Sequence, residues 1–370
     1  IPPNSSANSP RRGSFFGMGH SKMGGRHWLW DIDYGHETPG FEPNDIGAFG
    51  AVDSRFNFNM LRYRETQPGK WYRDYELGLG NDNGWSYDWT HRNSGVYMFA
   101  EVTLANFWQI FAEYGINRGG LSDRLTRGGP LMVNADNYFA SAEIESREGA
   151  RNRWGVDIEG REESDGSFAN ALELSFSVRP GPQLELSFDP AWQRERDARQ
   201  YIATMPSGRA ETFGNRYVFA AVDLSEISAR LRANYTFTPD LSLETYAEPF
   251  AASGHFHGFG ELLAPRARDL LAYGTSGSTI VRNADGSYTV TDANGSFDIE
   301  PQDFNVRSFR SNVVLRWEWR PGSTMFVVWQ QDRSGERAFR QARPGDLLDA
   351  FGTRGDNIFA VKISYWLALD

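Results

Sequence analysis

The chain has 370 residues, a formal net charge of −10, 14% aromatic side chains, 38 glycines and no cysteine. The acidic balance leaves no basic stripe to neutralise phosphates, which argues against a nucleic-acid partner. Without Cys there is no disulfide framework, thiol nucleophile or cysteine metal cluster. No run approaches the roughly 18–20 apolar residues of a membrane helix, and the aromatic and glycine content favours strands. The opening Ile1-Pro-Pro-Asn-Ser-Ser reads as loop rather than as a secretory signal, so a larger precursor is expected.

From there, segments alternating between apolar and polar recur to the end of the chain. Candidate strands fall near 13–23, 26–35, 53–65, 70–90, 95–104, 106–117, 136–147, 152–162, 168–178 and 183–193, then 216–237, 241–252, 306–319, 323–332 and 357–369. That is about fifteen strands, each with side chains alternating between two faces. In one of the clearest, Leu172, Leu174, Phe176 and Val178 share a face opposite Glu173, Ser175 and Ser177. The stretch from Asn312 to Gln331 reads as a hairpin turning at Arg320-Pro-Gly-Ser323. Val313, Leu315, Trp317 and Trp319 lie on one of its faces, and Arg316 and Glu318 on the other.

The connections differ in length according to which end of the strands they join. Short turns fall at Thr66-Gln-Pro-Gly69, Leu104-Ala-Asn106, Glu148-Gly-Ala-Arg151, Arg179-Pro-Gly-Pro182, Thr238-Pro-Asp240 and Arg320-Pro-Gly322. Longer connections occupy 36–50, 118–135, 194–215, 253–305 and 333–356. Short turns at one end and long loops at the other are the asymmetry of bacterial outer-membrane barrels. The expected fold is therefore all-β: one antiparallel transmembrane β-barrel domain over 1–370, with short periplasmic turns and long extracellular loops. The loop at 254–305 carries a small hairpin that turns at Asp285-Gly286. Counting strands back from the Arg320-Pro-Gly322 turn leaves the two ends of the chain on opposite sides of the membrane. Single-chain bacterial barrels have even strand numbers, so upstream strands are expected to be missing.

Several motifs together resemble one family. They are Leu125-Thr-Arg-Gly-Gly-Pro130, Arg216-Tyr-Val-Phe-Ala220, Asn234-Tyr-Thr-Phe-Thr-Pro-Asp-Leu-Ser-Leu243, Tyr246-Ala-Glu-Pro-Phe250, the hairpin 312–331, and Asn357-Ile-Phe-Ala-Val-Lys-Ile-Ser-Tyr-Trp-Leu367. The family is the C-terminal outer-membrane β-barrel domain of an uncharacterised group of large bacterial surface proteins. Its members usually carry an N-terminal domain similar to the family 9 carbohydrate-binding modules, and are loosely labelled membrane-associated hydrolases. The resemblance implies a bacterial outer-membrane location and offers no catalytic residues to carry over.

The expected role is a surface scaffold or transport conduit, non-catalytic in this region. Expected partners are outer-membrane lipid, the missing strands or a partner chain supplying them, and surface glycans or proteins. Glu101, Glu173, Arg230, Arg232, Glu244, Arg316, Glu318 and Lys362 are expected to line the lumen, either biasing which solutes pass or neutralising one another in a plugged barrel. Trp317, Trp319, Trp329 and Tyr365 are expected to face lipid as an aromatic girdle. His255 and His257 could hold a metal but more simply face solvent, so no metal or cofactor is expected. Carboxylate pairs such as Glu42/Asp45, Glu162/Glu163 and Glu244/Glu248 are no more than chance expects among 48 acidic residues. The alternatives are a carbohydrate-binding or hydrolytic surface protein with its cleft in the extracellular loops, and a soluble β-rich assembly protein.

Overall fold

A computed structural model describes residues 13–41 and 53–367. In chain order the strands are β1 (Phe15–Lys22), β2 (Trp28–Glu37), β3 (Ser54–Glu65), β4 (Tyr72–Ser86), β5 (His91–Leu104), β6 (Gln109–Gly119), β7 (Leu121–Ser122), β8 (Met132–Val133), β9 (Asn137–Glu145), β10 (Asn152–Glu163) and β11 (Phe168–Gly181). There follow β12 (Leu184–Pro206), β13 (Asn215–Thr238), β14 (Leu241–Leu262), β15 (Leu270–Ala272), β16 (Thr279–Arg282), β17 (Tyr288–Asp292), β18 (Gly295–Ile299), β19 (Phe304–Arg320), β20 (Ser323–Glu336) and β21 (Gly355–Ser364). One short helix, α1 (Pro344–Ala350), precedes β21.

One 16-stranded sheet dominates. Apart from β15, which pairs only with β14, its strands follow one another as an antiparallel meander from β1 to β21. All fifteen expected strands are present. Among the described residues no ladder joins β1 to β21, so the sheet is open with these two strands as its edges.

The ladder register aligns like with like. Tyr114, Met98, Leu79, Leu61 and Trp30 form one cross-strand row. Ala142, Ile158, Leu172, Trp192 and Ile227 form a second. A third runs Leu184, Tyr235, Leu243, Leu315, Val327 and Val361. One face of the sheet is thus a continuous apolar surface, and no other layer covers most of it: Leu79, Met98 and Ile158 are 53%, 55% and 53% exposed. From Leu184 to Trp192 the apolar positions of β12 span roughly 27 Å at ~3.4 Å per residue.

The buried clusters lie elsewhere, at the loop end of β12–β14. Val218, Ala220 and Phe259 pack with Tyr273, Val290 and Ile299 of the 263–303 connection. Tyr217, Phe219 and Leu262 pack with Met132 of the 120–136 connection. This corrects the loops expected at 194–215 and 253–305, since β12 runs on to Pro206 and β14 to Leu262. Loops cover both faces of these strand ends, so the two-residue alternation that reveals a strand is lost there. Bulges between Asp197/Gln200 and Tyr201/Ala203 shift the phase further. The expected hairpin is present as β16–β17, with Gly286 at φ +89° and Asp285 accepting the Ser287 N–H at 3.0 Å. It gains a third strand, β18, to make a separate three-stranded sheet.

The connections sort by end as expected, with two exceptions. The turns at 182–183, 239–240 and 321–322 share one end, while 120–136, 263–303 and 337–354 share the other. The short connections 87–90 and 164–167 also fall at the long-loop end. At that end α1 and the 337–343 segment fold over the upper edge of the apolar face. Phe351 meets Phe309 at 4.4 Å, Asp349 pairs with the buried Arg307 at 3.3 Å, and the Ala342 N–H donates to Ser253 Oγ at 2.9 Å.

Candidate functional site on the charged face

Opposite the apolar surface, the same ladders align charged and polar side chains. Asp157 stands beside Glu143 and Glu173, and Glu76 beside Glu101. The structure pairs five of the eight residues expected to line a lumen. Arg230 bonds Glu173, Arg232 approaches Asp189 at 3.5 Å, and Arg316 meets Glu318 at 2.8 Å. Each pair shares a face: Arg316 and Glu318 lie two apart on one strand, Arg232 and Asp189 near one another across a ladder, and Glu173 and Arg230 on either side of β12. Glu101, Glu244 and Lys362 form no ion pair among the described residues. The Glu76 carboxylate is instead shared by Arg62 at 3.6 Å and Arg64 at 3.4 Å. Much of the charged face is therefore a network of cross-strand pairs, which sequence alone could not assign for lack of register.

The aromatic set lies on the opposite face. Trp317 and Trp329 are each 44% exposed, and the Trp317 ring meets that of Trp319 at 6.2 Å, near edge-on. Tyr365, just past β21, is covered by the Arg320 guanidinium at 4.0 Å. His255 and His257 do point the same way, with ring centroids 5.6 Å apart. Each has its own carboxylate, Asp303 at 3.3 Å and Asp223 at 3.2 Å. Among the described residues no cluster of three His, Asp or Glu could hold a metal. Glu42 and Asp45 lie outside the described residues.

A feature missed from sequence lies at the loop end of the charged face. A cavity of about 300 Å³ there is lined by Asn93, Asn117, Asn137, Arg161, Glu163 and Asp197, among others. Arg199 closes one side of it: Nε bonds Asp165 Oδ2 at 2.7 Å, and Nη1 donates to the Val133 carbonyl at 2.7 Å. One arginine thus ties β12 to the 164–167 and 120–136 connections. Burial would raise the Asp165 pKa, but hydrogen bonds from Ser167 and the Arg199 charge outweigh it and hold the carboxyl below its usual range. Asp197 has burial without a full countercharge; its main polar contact is the Arg199 backbone N–H at 2.8 Å, and its pKa is raised. Two nearby carboxyls are thereby pushed in opposite directions, the separation that acid–base chemistry uses.

Further toward the loop end of β13, Arg216, almost fully buried, bonds Glu261 at 2.9 Å and Asp292 at 2.6 Å. Tyr273 donates to the same Glu261 oxygen at 3.1 Å. Asp292 holds Arg216, while Asp298 accepts from Thr289 at 2.7 Å and Asp285 closes its own turn. The network clamps the three-stranded sheet β16–β18 onto β13 and β14.

A long antiparallel meander with one bare apolar face, one ion-paired face and a loop-built cap defines the class of this protein. Residues 4–370 match the family of the domain of unknown function DUF5916, and the chain belongs to that family. No curated protein matches the chain.

Proposed function

We propose that this protein is a β-barrel of the bacterial outer membrane, acting as a surface scaffold or transport conduit rather than as a catalyst. One observation carries the reading. The apolar side chains of the meander form cross-strand rows that protein leaves largely bare, while the opposite face holds paired charges. In water such a surface would bury itself; in a bilayer it is the lipid-facing belt, with the charges inward. Allowing for a strand tilt of 35–45°, the 27 Å of apolar β12 becomes roughly 20 Å of membrane, near the ~25 Å expected of a barrel belt. On this reading the 321–322 turn and Trp317 lie on the periplasmic side, and the cap over β12–β14 faces outward.

Lipid tolerates no unpaired strand edge, so β1 and β21 require partners. Each step of the meander reverses direction, so β1 and β21 run the same way. An all-antiparallel closure therefore takes an odd number of additional strands, from elsewhere in the same protein or from a partner chain. The test is tryptophan quenching in vesicles of brominated phospholipid. Strong tryptophan quenching that falls when Trp317 and Trp329 are replaced by Phe supports the belt; unquenched fluorescence and full solubility without detergent overturn it. Conductance in planar bilayers then separates an open conduit from a plugged scaffold.

The loop-end cavity favours a second reading, a surface carbohydrate-binding or hydrolytic protein. Its Asn, Arg and carboxylate lining suits a polyhydroxylated ligand, and Asp165 with Asp197 offers two carboxyls of opposed acidity. Calorimetric titration with an oligosaccharide panel, repeated on Asp197→Asn, tests this reading.

A further inference from the structure

The apolar surface carries a polar notch. Across β2–β6 the row above Leu61 and Leu79 runs Ile32, Asn59, Asn81, Val96 and Ile116, so two asparagines interrupt an otherwise apolar line. The row above that contains Asn83, Ser94 and Arg118. Small amides between large aliphatic walls leave an open groove of about 810 Å³, lined by Trp30, Leu79, Val96 and Ile116 below and by Asn83 and Arg118 at the rim.

The hydrogen bonds within the notch are incomplete. Asn59 donates to Asn57 Oδ1 at 2.8 Å and to Asn81 Oδ1 at 3.2 Å. The Asn81 amide N–H groups, the whole Asn83 amide and the Arg118 guanidinium then have no side-chain or backbone partner among the described residues. Arg118 is exposed and forms no ion pair there. The unused groups are mostly donors, and one carries a full positive charge. Amides beside hydrocarbon are costly without partners, so a ligand rich in acceptors, and preferably anionic, would satisfy them. The groove deepens from this polar rim into apolar walls, the polarity gradient of a lipid molecule lying against the belt.

We infer that the Asn59/Asn81/Asn83/Arg118 notch is a binding site for the phosphate-bearing head of a membrane lipid, whose acyl chain lies in the groove between Trp30 and Ile116. This rests on the membrane reading above. A lipid bound there would occupy the long-loop end of the belt and cover amides that bulk hydrocarbon cannot solvate.

The test compares the native protein with Arg118→Ala and with Asn83→Ala in vesicles of phosphatidylcholine, with and without phosphatidylglycerol. Arg118 is exposed and Asn83 half-buried, and folding of both variants is checked independently by heat-modifiable gel migration. The notch predicts that wild type retains phosphatidylglycerol through detergent extraction, and that Arg118→Ala lowers the retained amount about tenfold, the loss of one charge-assisted contact. Asn83→Ala should lower it less, and phosphatidylcholine retention should not change. Equal phosphatidylglycerol retention by all three proteins overturns the site. Equal protection by free inorganic phosphate, competing at the same concentration, overturns the lipid as its ligand. Failure of the brominated-lipid quenching would instead remove the membrane reading, so the two outcomes remain distinguishable.

Discussion

Replacing Ile158 by Arg tests the belt at its centre. The Ile158 side chain is 53% exposed, and its cross-strand neighbours on the same face are Ala142 and Leu172, so no carboxylate stands beside it. The first acid along β10 on this face is Glu162, roughly 13 Å away at ~3.3 Å per residue. The new guanidinium therefore has neither a partner nor a short route to the head groups. If the face meets hydrocarbon, the substitution costs ~2–4 kcal/mol, between thirtyfold and a thousandfold in the folding equilibrium at ~1.4 kcal/mol per decade. If the face meets water, a half-exposed position without partners changes stability by no more than ~0.5 kcal/mol. The measurement is urea unfolding of the native protein reconstituted in phosphatidylcholine vesicles, read by tryptophan fluorescence. Glu159→Gln, on the opposite face, serves as the control and should shift little. A cost below about 1 kcal/mol for Ile158→Arg would refute the lipid-facing assignment, because no bilayer mechanism makes an unpaired central arginine that cheap.

Arg216→Met should cost ~3–5 kcal/mol, because it leaves Glu261 and Asp292 without their cation in a buried setting; protease cleavage within 263–303 should rise sharply while the meander stays protected. The same clamp gives a pH dependence. The Arg216 hydrogen bond holds the Asp292 pKa below its ordinary value, so its contribution is full above about pH 5 and is lost as pH falls below ~4. Cleavage of the loop should therefore rise on acidification, and Asp292→Asn should show high cleavage at every pH with that step abolished. Gly322→Ala should cost at least ~1–2 kcal/mol in urea, since φ is +78° and the new Cβ would stand 2.9 Å from Trp366 Cβ. Arg199→Ala should loosen the 120–136 and 164–167 connections together, seen as coupled loss of amide-exchange protection, because one guanidinium serves both.

What could be read from the residues alone was the meander. Val313, Leu315 and Trp317 alternate with Val314, Arg316 and Glu318 because the two faces of β19 meet different surroundings. Such a difference writes itself into every second residue, so the strands, their turns and the long-loop end all appear in the sequence. The alternation disappears where that contrast vanishes. At the loop end of β12–β14, Val218 and Phe219 point to opposite faces and both are buried, so nothing in the local pattern separates strand from loop. Strand β18, with Gly295-Ser-Phe-Asp-Ile299, likewise becomes a strand only because β17 offers it an edge. Which charges meet was also a matter for the tertiary structure. Arg216 reaches Asp292 because the separate sheet β16–β18 docks on β13, Arg199 reaches Asp165 in the 164–167 connection, and Asn59 falls level with Asn81 through ladder register. Register arises from pairing between strands rather than within one, and a one-residue slip would exchange the faces entirely. The sequence by itself therefore determined the strands and their two-faced character; only the tertiary structure decided the ion pairs, the cap and the notch.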